Sequence, residues 1–212
     1  MEEKRKILFS FDDGPAPTKA LNMILTALEN HGIKAEFYVL GSEVERNPSA
    51  AKLIVTKGHK IQNHSWSHPN LAKATELEVR NELEKTQKAI KKATGVTATK
   101  VRPPYGAGGW PNKHDRELAN VARNLSLSIH NWDIDTEDWK APRGVGLLKM
   151  ENIKKQLATK KNKPILDVLM RIPLNSNTHS GGSRTPFPPH ALLSEVLTQV
   201  FDFRQIGFHF SH

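Results

Sequence analysis

No cysteine occurs among the 212 residues. Disulfides and thiolate chemistry are therefore excluded, and imidazole and carboxylate are left to build any transition-metal site. The compartment stays open on this ground, because a chain without thiols survives in either redox setting. No apolar run is long enough to span a bilayer. Met1-Glu-Glu-Lys-Arg-Lys passes straight into Ile7-Leu-Phe-Ser-Phe without the core of a signal peptide, so a cytoplasmic protein or a mature or trimmed form is expected. Low-complexity tracts and internal repeats are missing too. No Gly-rich phosphate loop follows the first apolar run, which argues against nucleotide binding.

What is present fits a single globular domain over residues 1–212: a 37% apolar fraction, 25% charged residues, and Gly and Pro spread evenly. The formal charge of +9 would attract a polyanion. However, Lys88, Lys91 and Lys92 fall on a helical pattern, and Lys154, Lys155, Lys160, Lys161 and Lys163 run into a loop. Arginine and aromatics do not interleave with them as in a nucleic-acid groove. These lysines are expected to be solvated surface, with no nucleic-acid partner and no membrane span.

Short apolar runs alternate with amphipathic stretches, the pattern of α/β units. Strands are expected at Ile7 to Phe11, Ala35 to Val39, Lys60 to Gln62, from Lys100-Val101, Leu127 to Trp132, Ile165 to Met170 and Phe208 to Phe210. Helices are expected from Thr18 to near His31-Gly32, at Pro48 to Lys57, from the capping-box pattern Thr75-Glu-Leu-Glu78 to near Gly95, near His114 to Asn124, around Met150 to Leu157 and near Ala191 to Phe203. Polar clusters follow the strands directly: Asp12-Asp13, His64 to His68, Arg102 to Gly106 and Asp133 to Trp139. A parallel β/α barrel assembles its site at those strand ends. About seven strands in so short a chain point to a compact or incomplete barrel; an open doubly wound sheet is the alternative.

Phe11-Asp12-Asp13-Gly14-Pro15 puts two carboxylates at a strand end; neighbouring side chains on a strand point to opposite sides, so one can bind a cation while the other takes a proton, and the same residues also suit a plain turn. In His64-Ser-Trp-Ser-His68 two imidazoles four residues apart reach one side if the segment is helical or tightly turned. With a distant carboxylate they make a three-ligand site with an open position. Alone, such a pair is often incidental. Arg102-Pro-Pro-Tyr-Gly106 is a stiff turn that could present a guanidinium to a carboxylate and an amide to an oxyanion. Trp132-Asp-Ile-Asp-Thr-Glu-Asp-Trp139 sets acids between two indoles, either as a capped helix start or as an acid that tunes a partner beside a sugar-binding wall.

Four motifs in order, Ser10-Phe-Asp-Asp-Gly-Pro15, His64-Ser-Trp-Ser-His68, Arg102-Pro-Pro-Tyr-Gly106 and Asp135-Thr-Glu-Asp-Trp139, resemble the polysaccharide deacetylase family, the NodB-homology carbohydrate esterases. The resemblance implies an α/β fold of the distorted, incomplete (β/α) barrel type with seven strands. It also implies metal-dependent removal of acetyl groups from N-acetylglucosamine polymers (chitin or peptidoglycan) or O-acetylated xylan. By the same likeness Asp12 is the general base, Asp13, His64 and His68 hold a divalent ion, and Arg102 holds Asp12. The Tyr105 amide serves the oxyanion, Asp138 orients the catalytic acid, and Trp139 lines the acetyl pocket. Zinc is the expected ion, with cobalt, nickel or manganese as alternatives. An acetylated oligo- or polysaccharide is the expected partner, a monomer the expected state, and a secreted or cell-wall location is favoured over the cytoplasm.

The fifth motif departs from the family pattern. Family members usually run an apolar strand straight into the catalytic histidine, whereas Leu169-Met170 is followed by Arg171, and the next imidazole is His179 in His179-Ser-Gly-Gly-Ser-Arg-Thr185. His179 is taken as the acid. If Arg171 holds that place instead, a catalytically weak or inactive carbohydrate-binding protein results, because guanidinium is far too weak an acid. A basic nucleic-acid binder ranks last.

Overall fold

The first apolar run extends as strand β1 (Arg5–Asp13). Ile7, Phe9 and Phe11 are buried on one face and Ser10 and Asp12 on the other, the two-sided enclosure typical of a parallel sheet. The structure, a computed structural model, describes residues 5–15, 18–137, 150–160, 163–171 and 208–210. The chain divides into two compact units: one comprises Met1–Phe11, Ala16–Ala35 and Trp132–His212, the other Asp12–Pro15 and Glu36–Asn131.

In the first unit β8 (Phe208–Phe210) pairs in parallel with β1, and β7 (Ile165–Arg171) lies next to β1 in the strand order. Strand β6 (Ile134–Asp135) pairs in parallel with β7. Helix α1 (Thr18–Asn30) buries Leu21, Ile24, Leu25 and Leu28, the three-and-four spacing of one helix face. Helix α6 (Met150–Thr159) buries Ile153 and Leu157. Its Gln156 side chain accepts from the Asp135 amide at 3.1 Å and donates to the Asp135 carbonyl at 2.9 Å. A side chain thus does for β6 what a further strand would do. Across β6 and β7 the Thr136 hydroxyl donates to the Leu169 carbonyl at 2.8 Å.

In the second unit β2 (Ala35–Val39), β3 (Lys60–Asn63), β4 (Lys100–Val101) and β5 (Ser128–Ile129) run parallel in the order β5-β4-β3-β2. Helices α2 (Gly41–Arg46), α3 (Pro48–Thr56), α4 (Glu76–Thr94) and α5 (Arg116–Asn124) belong to the same unit. Helix α4 begins with the expected capping box, in which the Thr75 hydroxyl accepts from the Glu78 amide and the Glu78 carboxylate accepts from the Thr75 amide. It buries Val79, Leu83, Thr86 and Ile90 and ends at Gly95, whose φ of 80° suits a residue without Cβ.

Three elements differ from expectation. Leu127 to Trp132 contributes only Ser128–Ile129 as strand. Ile134–Asp135 is a strand of its own rather than a post-strand cluster. Helix α2 has no apolar periodicity in Gly41-Ser-Glu-Val-Glu-Arg46; its first amides are tied down from outside the helix, Gly41 to the Ser65 carbonyl and Ser42 to the Trp66 carbonyl, at 3.0 and 3.2 Å. The expected helix near Ala191 to Phe203 lies outside the described residues.

Candidate metal centre

The second unit gathers the polar residues at the C-terminal ends of its parallel strands, where side chains and loop amides are not consumed by ladder bonds. Asp12 and Asp13 end β1, His64 follows β3, and Arg102 follows β4. The backbone is unusual there: Asp13, Ser65, His68 and Tyr105 all adopt φ between 61 and 78°. Non-glycine residues visit this region at a cost of order 1–3 kcal/mol each, and such residues cluster at functional sites.

Asp13 Oδ1 lies 3.4 Å from Nε2 of both His64 and His68, and the three ligand atoms fall within 4.8 Å of one another. Bonds of about 2.1 Å to a tetrahedral ion place ligand atoms about 3.4 Å apart, so this donor set fits a divalent cation bound by two imidazoles and a carboxylate. His64 is prepared for that role. Its Nδ1 lies 2.7 Å from the Arg102 carbonyl. A carbonyl only accepts, so Nδ1 carries the proton and Nε2 turns its lone pair inward. The His68 ring packs edge-on against Tyr105, 4.7 Å between centroids, and against His64 at 5.1 Å.

The strand-pleat expectation for the two acids needs correction. The left-handed φ at Asp13 ends the alternation, and both carboxylates approach the same imidazole: Asp12 Oδ2 is 3.8 Å and Asp13 Oδ1 3.4 Å from His64 Nε2. Nor is the His64 to His68 segment helical; it is a turn with left-handed residues at Ser65 and His68.

Asp12 and Arg102 form a buried pair. The Arg102 guanidinium is fully enclosed and donates to Asp12 Oδ1 at 2.7 Å and to the His130 carbonyl at 3.2 Å. It also lies 3.9 Å above the Tyr38 ring, a cation–π contact of up to about 2 kcal/mol when desolvated. Burial pushes the Asp12 carboxyl above the usual carboxylate range, with Asp13 adding to the rise while Arg102 and His64 hold it back. For His64, burial opposes the charged ring, but Asp12 and Asp13 outweigh it and raise its pKa. The site therefore favours added positive charge, which a divalent cation would supply.

Asp12, Asp13, His64, His68, Arg102 and Tyr105 are thus brought together, whereas Asp138, Trp139 and His179 lie outside the described residues. Sequence reasoning missed Tyr38, the His130 carbonyl and Asn63. The Asn63 side chain accepts from the Ser65 amide at 2.9 Å and donates to the Leu83 carbonyl at 3.0 Å.

The sequence profile of the polysaccharide deacetylase family matches residues 1–130, a stretch that includes every residue of this cluster. A peptidoglycan-N-acetylglucosamine deacetylase, PgdA of Listeria monocytogenes, is 43% identical over 136 residues, 64% of this chain and 27% of that relative. The match therefore spans about a quarter of the relative's length. A family 4 carbohydrate esterase from Streptomyces lividans, solved with acetate, superposes with a TM-score of 0.71 at 25% identity over 94% of this chain and 89% of its own. A mutant, with restored enzymatic activity, of a CE4 family pseudoenzyme from Bacillus anthracis superposes with a TM-score of 0.75 at 25% identity, covering 99% of this chain and 66% of its own. The parallel strands alternating with helices and the likeness to the esterase bear out the expected fold class, an incomplete (β/α) barrel.

Proposed function

Since the chain belongs to the polysaccharide deacetylase family, we propose that it is a metal-dependent hydrolase removing acetyl groups from N-acetylglucosamine polymers or O-acetylated xylan. Peptidoglycan is the first candidate substrate, with chitin and O-acetylated xylan after it. The observation that carries this reading is the convergence of Asp13 Oδ1, His64 Nε2 and His68 Nε2 beside an Asp12 held by Arg102. A bound divalent ion, zinc by preference, supplies Lewis acidity toward the acetyl carbonyl.

The chain's own groups do the rest. Asp12 takes the proton of the attacking water, and burial suits it to that role by raising its affinity for a proton. Arg102 fixes the orientation of Asp12. The Tyr105 amide donates to the oxygen that gains charge. Water adds to the acetyl carbon, the bond to the sugar nitrogen or oxygen breaks, and acetate leaves. His179, oriented by Asp138, protonates the leaving atom, while Trp139 lines the acetyl pocket. A single catalytic domain over residues 1–212, acting as a monomer and secreted or cell-wall associated, completes the reading. The test is acetate release from peptidoglycan and chitooligosaccharides with zinc or cobalt: Asp12→Asn should lose a factor of about 10²–10⁴, and no release by the unmodified protein on any acetylated substrate would defeat the reading.

One observation favours a second reading, a carbohydrate-binding protein that retains the metal site with little turnover. Arg171 ends β7, where its guanidinium lies 3.6 Å from Asp135 Oδ1, and a guanidinium does not give up a proton. On this reading His179→Ala changes nothing and Arg171→His raises turnover. If His179 is the acid, His179→Ala removes most of it.

A further inference from the structure

The turn between the two histidines is held by a residue outside every motif. Glu82, on α4, accepts from the Trp66 amide at 2.7 Å and from the Ser67 amide at 2.8 Å through one oxygen, and from the Ser67 hydroxyl at 2.8 Å through the other. Hydrogen bonds to a carboxylate are roughly twice as strong as neutral ones. Here three converge on the two residues midway between His64 and His68. The backbone they hold is strained, with φ of 68° at Ser65 and 65° at His68, and such conformations persist only where surrounding bonds over-determine them. The Ser65 hydroxyl, accepting from the His68 amide at 3.2 Å, ties the end of the turn back to its start. Lys85, three residues beyond Glu82 on the same helix, covers the Trp66 ring at 3.6 Å.

His64 has an anchor of its own in the Arg102 carbonyl. His68 Nε2 faces Asp13 Oδ1 and its ring meets those of His64 and Tyr105, while its backbone amide is held by the turn. We infer that Glu82 is a positioning residue for the metal centre: by clamping the Trp66 and Ser67 amides it sets the place of His68 and thereby the affinity of the three-ligand site for its ion. The inference rests on the metal reading of Asp13, His64 and His68.

The test compares metal-free and zinc-titrated protein for the unmodified chain, Glu82→Gln, Glu82→Asp and the control Glu84→Gln, whose parent residue pairs only with Arg80 and Lys88 on the helix surface among the contacts described. Zinc affinity is read by competition with a chromophoric chelator, and ligand geometry by the visible absorption of the cobalt form. Loss of an outer partner of a metal ligand typically costs 10–100-fold in affinity. Glu82→Gln should fall in that range with an altered cobalt spectrum while its metal-free melting temperature stays close to the parent's. Glu82→Asp, which keeps the charge, should recover part of the loss, and Glu84→Gln should match the parent. Unchanged affinity and spectrum in Glu82→Gln and Glu82→Asp would overturn the inference. So would a loss of affinity that follows only the loss of folded protein. Failure of the unmodified chain to bind zinc would instead overturn the metal reading itself.

Discussion

Replacing Arg102 by methionine would leave Asp12 buried opposite an apolar side chain. Both partners are almost fully enclosed, with side chains 0% and 3% exposed, and their charged atoms are 2.7 Å apart. Unit charges about 4 Å apart at an effective dielectric constant of about 20 attract by about 4 kcal/mol, and breaking a buried pair from one side typically costs about 3–5 kcal/mol. Arg102→Met is therefore expected to lower unfolding free energy by about 3–5 kcal/mol, a large part of a typical domain's total. Asp12→Asn/Arg102→Met should recover part of this, giving a coupling of about 2–3 kcal/mol in a double-mutant cycle. The sign of the pH dependence follows from Asp12. Burial already raises its carboxyl, Arg102 opposes the rise, and without the guanidinium it goes higher. A carboxyl raised in the folded state contributes stability at low pH that is lost as pH rises through the raised value. In metal-free protein, the deficit of Arg102→Met should accordingly grow from acid to neutral pH. Urea denaturation of the four cycle members at two pH values reads all of this. A deficit below about 1 kcal/mol, independent of pH and additive with Asp12→Asn, would show that the two side chains are not energetically coupled.

A Cβ added at Gly41 would stand 2.5 Å from Trp66 Cε3 and Thr86 Oγ1 and 2.9 Å from Thr86 Cα; Gly41→Ala should cost about 1–3 kcal/mol in denaturant unfolding and weaken zinc binding by displacing the turn that carries His68. In metal-free protein, burial should hold the Asp12 carboxyl above the ordinary carboxylate range, and an NMR titration that places it at or below that range would contradict this account of its surroundings. At the start of α4, the Thr75 amide and hydroxyl hold the Glu78 carboxyl below its usual value. That contribution is present above the ordinary carboxylate pKa and is lost as pH falls through the lowered one. Glu78→Gln should therefore melt earlier than the parent at neutral pH and alike in acid.

Local signals in the sequence were enough for the long elements. The apolar alternation around β1, the capping box of α4 and the Gly95 stop depend on residues within a few positions of one another. Short elements were harder, because β6 is a strand only by virtue of β7 and the Gln156 side chain, and α2 only through amides tied to Ser65 and Trp66. The site residues were readable as motifs, since the Asp12-Asp13 pair, His64 and Arg102 each sit next to a strand end. Their supports were not. Tyr38 beneath Arg102 looks like any aromatic of a buried strand, and Glu82 looks like one more surface acid of a charged helix, because its partners lie 15 and 16 positions away. The opposite-face reading of Asp12 and Asp13 failed for a comparable reason. Strand periodicity does not foresee a left-handed residue at Asp13.

Metal stoichiometry coupled to turnover decides whether the ion held by Asp13, His64 and His68 drives deacetylation. Metal-free protein is titrated with zinc while acetate release from N-acetylglucosamine oligomers and peptidoglycan is followed. The rate should rise in proportion to added zinc and level off at one ion per chain, and His64→Ala should abolish the saturable rise. Release that does not depend on the ion, or stoichiometric binding at Asp13, His64 and His68 with no acetate released from any acetylated polymer, would contradict the account.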